Sequence, residues 1–286
     1  MTEVIQQIVN GMTIGGVYAL IALGLTTVFG ILGIAHFAHG SISMFGGYLT
    51  FVLVTKYGMN LWLAAGASLV AGLLIGVIVE RLAYRPVRGA NHVNAFIVAL
   101  GLTMIAEGVN LRLFGADQIV LPTGANRVFR LGPITLTELR LYIILSTVAL
   151  ISAMTWYIAK TKTGAAIRAV AQNQPAAVLM GVNIERITMT VFAISSALGM
   201  AAGIMVAALF AVAPGVGEGL AVKGFAVLIL GGLGSIPGAI VGGFVLGVTE
   251  ALAAGYISSA YKDVIAFLMM IGVLLLRPEG LLGRAR

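Results

Sequence analysis

The chain alternates between long apolar runs and short polar interruptions, and the runs are of membrane-crossing length. A helix rises 1.5 Å per residue, so a hydrocarbon core of about 30 Å takes about 20 residues. Residues 4–55 hold no Asp, Glu, Lys or Arg, enough for two crossings. Their expected break is Gly33-Ile34-Ala35-His36-Phe37-Ala38-His39-Gly40, where polarity and glycine coincide. Further spans are expected at 57–79, about 93–113, 141–159 and 187–212. Residues 225–255 are apolar but interrupted by Gly231-Gly232-Leu233-Gly234-Ser235-Ile236-Pro237-Gly238. Residues 256–276 form the last run, with Lys262 and Asp263 near its outer end. The pattern predicts an all-α polytopic membrane protein with about eight hydrophobic regions and broken or re-entrant helices, the interrupted region counting as one pass or two. Residues 1–286 are read as one transmembrane domain.

Composition narrows the class. Of 286 residues, 60% are hydrophobic and 9% charged, with a mean hydropathy of +1.06. A soluble domain is about 25% charged, so soluble enzymes, nucleic-acid binders and disordered chains are poor readings. There is no cysteine, which excludes disulfides, thiol catalysis and cysteine metal sites. The start, Met1-Thr2-Glu3, lacks a basic region and a cleavage site, so the first run reads as a retained span.

The net charge of +7 has no basic cluster behind it, and orientation in the membrane explains it better than nucleic acid. One side would hold Arg81, Arg85, Arg88, Lys160, Lys162, Arg168, Arg186, Arg277, Arg284 and Arg286, ten of the 17 Lys and Arg. The other would hold Lys56, Arg112, Arg127, Arg130, Arg140, Lys223 and Lys262. The first side is assigned to the cytoplasm, with the C-terminus there and the N-terminus outside. The tail can lie there only if the interrupted region enters and leaves on one face. Glycines spaced four apart (Gly11 and Gly15, Gly72 and Gly76, Gly199 and Gly203, Gly238 and Gly242) are expected to pack helices.

Enzyme motifs are missing: no G-x-x-x-x-G-K-[ST], no H-E-x-x-H and no G-x-S-x-G. The chain is read as a non-enzyme with no cofactor of its own. His36 and His39, three apart without a nearby carboxylate, read as structural rather than metal-binding. Glu107 and Glu250 fall inside spans, where ionisable groups default to function. Either serves as a proton or cation site, or else lies near an interface or pairs within the bundle. Glu80 is expected to pair with its neighbour Arg81 at the interface. Broken backbone at membrane depth survives only where protein or a water cavity satisfies it. The two breaks therefore supply the pathway candidates: His39, Gly40, Ser41, Gly46 and Gly47, then Gly231, Gly232, Gly234, Ser235 and Pro237. Plain turns between spans are the other reading.

The loop 160–186 is the most specific feature. Thr163 to Ala171 reads as helix, stopped by Asn173-Gln174-Pro175, because proline disfavours helix before itself and suits a new first turn. A second short helix runs from Pro175 to Gly181. Two short helices with small and apolar faces suggest a docking surface, with a helix lying on lipid as the alternative. The residues expected to carry it are Arg168, Asn173, Pro175, Ala176, Ala177 and Gly181.

Three stretches carry a family resemblance. The first is Gly24-Leu25-Thr26 with Phe29 to Gly33, then Phe37-Ala38-His39-Gly40 and Gly46-Gly47-Tyr48. The second is Thr163-Gly164, Ile167 to Asn173, Ala176-Ala177 and Met180-Gly181-Val182. The third is Gly224-Phe225-Ala226, Leu230 to Ala239, Arg277-Pro278 and Gly280-Leu281. In this order the chain resembles the inner-membrane permeases of branched-chain amino-acid ABC importers, the Liv type. Two positions depart: the family usually has Asn where this chain has His36, and often an acidic residue where it has Ser41. Related permeases carry urea, short amides or aromatic acids. The resemblance implies an ABC importer permease fold in a bacterial or archaeal plasma membrane. It implies a second permease subunit, similar or identical, and two ATPase subunits that bind ATP and dock around Ala176 to Gly181. It also implies an extracytoplasmic binding protein that delivers a branched-chain amino acid or related solute. The rival reading is an ion-coupled secondary transporter using Glu107 and Glu250.

Overall fold

A computed structural model describes residues 2–34, 36–88, 92–125, 127–131, 134–213 and 215–283. Its helices are α1 (Thr2–Leu32), α2 (His39–Thr55), α3 (Leu61–Val79), α4 (His92–Phe114), α5 (Glu138–Lys160), α6 (Lys162–Gln172), α7 (Gln174–Leu179), α8 (Ile184–Leu209), α9 (Val216–Gly231), α10 (Ile236–Tyr256) and α11 (Lys262–Leu276). Side chains set many of the starts. Asn60, Thr137, Thr161, Asn173, Asn183 and Ser235 each accept a hydrogen bond from an N–H in the first turn of α3, α5, α6, α7, α8 and α10. Among the described residues, seven helical segments are long and apolar enough to cross a membrane, and α2 and α9 are shorter.

The helices run between two ends. At one, a small antiparallel hairpin of β1 (Val128–Leu131) and β2 (Ile134–Thr137) is tied to α1. The Thr135 N–H donates to Gln6 Oε1 at 2.8 Å, and Gln6 Nε2 donates to the Thr135 carbonyl at 3.0 Å. At the other end, α6 and α7 pack their apolar side on the last turns of α1 and the first turns of α8, with Ile167, Val170 and Ala177 against Val28, Ile31 and Ile187. The C-terminal segment returns to this loop end, where the Leu281 N–H donates to the Leu230 carbonyl at 2.8 Å.

Helices α1 and α8 form the mostly buried centre, while α4 and α11 turn most of their surface outward. All four glycine pairs lie at crossings. Gly11 and Gly15 meet α10, Gly72 and Gly76 meet α8, Gly199 and Gly203 meet α2, and Gly238 and Gly242 meet α9. Small residues let these backbones approach closely.

Some expectations need correction. Lys223 is not in a loop but within α9, inside the bundle. It stays at the hairpin end, bordering the same cavity as Arg140 and Lys262; Arg284 and Arg286 fall outside the described residues, as does Ala35 of the first break. Glu80 pairs with Arg88 rather than Arg81. Adjacent residues on a helix do not face each other; Glu80 and Tyr84 are buried in a π-helical turn, Glu80–Tyr84, that continues α3, while Arg81 is exposed.

Candidate functional site

Two helices begin inside the bundle rather than at its ends. After α1 the chain turns back, and α2 starts at His39, which is fully buried. His39 Nδ1 lies 3.4 Å from Ser195 Oγ, which donates to the Gly24 carbonyl at 2.9 Å. Gly24 precedes the end of α1 at Leu32 by two turns, roughly 12 Å. On the other side of the bundle, α8 reaches the hairpin end and residues 210–213 turn inward, with Val212 bridged to Ile119. Helix α9 then starts beside α2: a Cβ on Gly40 would lie 1.9 Å from the Gly217 carbonyl oxygen, and one on Gly217 would lie 2.8 Å from that of Gly40. Only glycine permits this approach.

The two starts share a second property. Neither α2 nor α9 has a side-chain cap, unlike the six capped helices; α11, at the hairpin end, is the other uncapped start described. The first N–H of each donates instead to a backbone carbonyl, His39 to His36 and Val216 to Ala213, and the positive ends of the two helix dipoles meet beside the Gly40–Gly217 contact.

Carboxylates stand next to them. Ser41 Oγ lies 3.5 Å from Glu107 Oε1 of α4, and Asn110 Nδ2 donates to the Ser41 carbonyl at 3.2 Å. Glu218, in the first turn of α9, is exposed. Among the described residues, neither glutamate has a cationic partner. Toward the loop end, Phe37 packs on Phe225 at 4.5 Å and on Phe96 at 5.6 Å between ring centroids. This face thus stacks carboxylates, uncapped helix starts and an aromatic floor.

Glu250 behaves differently. Its Oε1 accepts from Lys223 Nζ and its Oε2 from the Tyr18 hydroxyl, both at 2.8 Å, and Lys223 also reaches Asp263 at 3.1 Å. Of the alternatives for this residue, the geometry favours pairing within the bundle. Breaking one side of a buried pair costs about 3–5 kcal/mol, whereas replacing both partners by apolar groups is often nearly neutral. Glu250→Gln should therefore lower the unfolding midpoint of the purified protein strongly. Lys223→Met with Glu250→Met should recover most of the loss. Equal midpoints for Glu250→Gln and wild type would show that the pair contributes nothing.

The sequence-selected residues do not form one site. His39, Gly40 and Ser41 sit at the central junction and are buried. Gly46 and Gly47 pack on Met200 and on Gly203 and Ala207 of α8. The second break lies at the loop end: Gly231 packs on Gly238, Gly232 on the Glu279–Gly283 segment, and Gly234 comes near Gly30. There Ser235 caps α10, and Pro237 stands in its first turn. His36 turns away from the junction, with Nδ1 2.7 Å from the Tyr84 hydroxyl and its ring against Phe192. Among the described residues no group of three or more His, Asp or Glu could hold a metal. Glu218 was not foreseen, although a glutamate set between Gly217 and Gly219 ahead of an apolar run was a visible signal.

In the loop, α6 and α7 form a bracket. Arg168 Nη1 donates to the Ile158 carbonyl at the end of α5, and Asn173 caps α7 with Pro175 in its first turn. Ala177 turns inward and is buried, while Ala176, Val178, Leu179 and Met180 face out. Gly181 follows with φ +82 and nothing within 4 Å of a would-be Cβ.

Comparison with known proteins places this arrangement. The family described as the permease component of branched-chain amino acid transport systems matches residues 7–274. The chain is 36% identical to the high-affinity branched-chain amino acid transport system permease protein LivH of Salmonella typhimurium, over 98% of this chain and 96% of that one. It is 37% identical to the corresponding protein BraD of Pseudomonas aeruginosa, with the same coverage. Among solved structures, PsaBC from Streptococcus pneumoniae in complex with Fab aligns over 94% of this chain and 91% of that chain, with a TM-score of 0.49 and 12% identity.

Proposed function

Because the chain belongs to the family of branched-chain amino acid transport permeases, we propose that it is the membrane-spanning subunit of an ATP-driven importer for branched-chain amino acids or a closely related solute. It is a multi-pass membrane protein and a permease component, not an enzyme. Two ATPase subunits bind the nucleotide, a second permease completes the path, and an extracytoplasmic binding protein delivers the solute. The loop end, with the C-terminus, lies in the cytoplasm, and the bracket α6–α7 receives the ATPases.

One observation carries the pathway: Glu107 and Glu218 stand on an outward face within the apolar depth of the bundle, with no cationic partner among the described residues. A charge at the bilayer centre costs about 3 kcal/mol even on insertion scales. That face therefore meets water and the second permease rather than lipid. Its chemistry suits a zwitterion with an aliphatic side chain: carboxylates for the ammonium, uncapped helix starts for the carboxylate, aromatic rings for the rest. The family's acidic residue is Ser41 here, and Glu107 brings a carboxylate to the same place from α4.

The test of the assembly is co-purification. The tagged chain, gently solubilised from native membranes active in uptake, is expected to bring down a stoichiometric ATPase pair; reproducible absence of any ATPase sinks the reading. For the path, Glu107→Gln with Glu218→Gln should lower ATP-driven uptake at least about tenfold, the loss of one charge-assisted contact of about 1.5–3 kcal/mol, with the ATPases still bound. Uptake at wild-type level would move the path to another face. An uptake that follows an imposed ion gradient and ignores ATP would instead favour ion coupling.

A further inference from the structure

A second polar cavity, apart from the central junction, opens near the hairpin end between α1, α5, α9, α10 and the start of α11. Its volume is about 370 Å³, within the ~300–1,000 Å³ of small-ligand sites. Three cations border it, Arg140, Lys223 and Lys262, against one carboxylate, Glu250. Lys223 and Glu250 satisfy each other, with Tyr18 and Asp263 completing the set. Arg140 and Lys262 are left over. Arg140 is partly buried and reaches the Asn10 side-chain carbonyl, a neutral acceptor; among the described residues neither cation has an acidic partner. The opposite wall is apolar, with Leu209 and Phe210. A half-buried guanidinium with no counter-charge favours an anion beside it. The apolar wall favours one that carries a short hydrocarbon chain.

We propose that this cavity is a reception site for a small aliphatic carboxylic acid, whose carboxylate is held by Arg140 and Lys262 and whose hydrocarbon part lies on Leu209 and Phe210. For the solute's identity this rests on the transport reading above; the binding itself does not. The free N–H groups of Arg140 donate in a fork to one carboxylate, Lys262 adds a point charge, and no proton transfer is needed. Glu250 stays on Lys223, so the cavity retains net positive charge and rejects a ligand that offers only an ammonium.

The experiment uses the purified full chain in nanodiscs of phosphatidylcholine. Binding of labelled leucine is competed with isovalerate, which keeps the carboxylate, or leucinol, which keeps the amine. Isovalerate is expected to compete and leucinol not. Lys262→Gln and Arg140→Gln should each weaken leucine binding at least tenfold, and Arg140→Lys should retain part of it. Among the described residues the Lys262 side chain has no partner to lose, so its variant carries the test if Arg140→Gln elutes as aggregate. Equal competition by leucinol, or wild-type binding in Lys262→Gln, overturns the proposal. So does an outcome in which no acid binds but phosphatidylglycerol associates in an Arg140-dependent way, which would make the cavity a lipid headgroup site. Carboxylate-dependent binding in a chain whose full assembly shows no ATP-driven uptake would leave this site standing and remove the transport reading. ATP-driven uptake without such binding would do the reverse.

Discussion

Leu179→Glu is expected to abolish ATP-driven uptake while leaving insertion and abundance of the chain unchanged. Leu179 and Met180 are 88% and 84% exposed at the end of α7, outside every membrane-length helix. Two large apolar side chains left exposed by a capped, clamped bracket make no packing contribution to the fold there. Burying a leucine against a partner is worth about 1.5–3 kcal/mol, and central apolar anchors are where interface energy concentrates. A glutamate at 179 removes that gain and adds a charge that the interface must desolvate, so the expected loss of ATPase association is 30-fold or more. Uptake by membrane vesicles and ATPase co-purification would fall together. Gly181→Arg is a less specific probe, because Gly181 has φ +82 and any side chain there strains the turn that ends α7. Normal uptake in Leu179→Glu would remove this bracket as the coupling element.

Gly40→Val is expected to be the most damaging single change in the membrane region. Its Cβ would meet the Gly217 carbonyl at 1.9 Å and Ala221 at 2.8 Å, and the first of these is backbone. No rotamer relieves a clash with backbone, so α2 and α9 would have to part. Overpacking a core costs about 1–3 kcal/mol where side chains can shift, and here they cannot. The variant should lose uptake and be cleared from the membrane, as read by immunoblot. Gly272→Val on α11 is the control, since nothing lies within 4 Å of its would-be Cβ. Equal abundance and uptake in both variants would mean that the α2–α9 junction is loose.

Much of this was legible from the residues. Hydropathy located the spans because membrane length is a one-dimensional property. The bracket 162–179 was legible because its signals are local: Asn173 caps, Pro175 starts and Gly181 stops. Helix depth was not legible. Whether α2 begins at the membrane face or in its interior depends on where the connection after Leu32 turns, and nearly every residue on either side is apolar. The same uniformity hid the place of Lys223: near a polar stretch it read as a loop residue, yet its partners Glu250 and Asp263 come from α10 and α11. Glu80 took Arg88 rather than Arg81 because adjacent residues on a helix do not face each other, a rule that the simple reading of neighbours overlooked. Glu218 stayed hidden because its place depends on Gly217, which lets α9 start against Gly40 of α2, a contact between distant parts of the chain.

The pairing of α1 with α10 through Gly15, Gly243 and Gly247 governs how the chain is made. Helix α10 follows α1 in the chain by about 200 residues. At about 5–20 residues per second, the glycine groove of α1 waits on the order of ten seconds or more for α10. During that interval Tyr18 has no Glu250, and lipid or an insertase must cover the groove. A chain interrupted before Ile236 would leave this seam open, with the glycines of α1 and the Tyr18 hydroxyl still without their α10 partners.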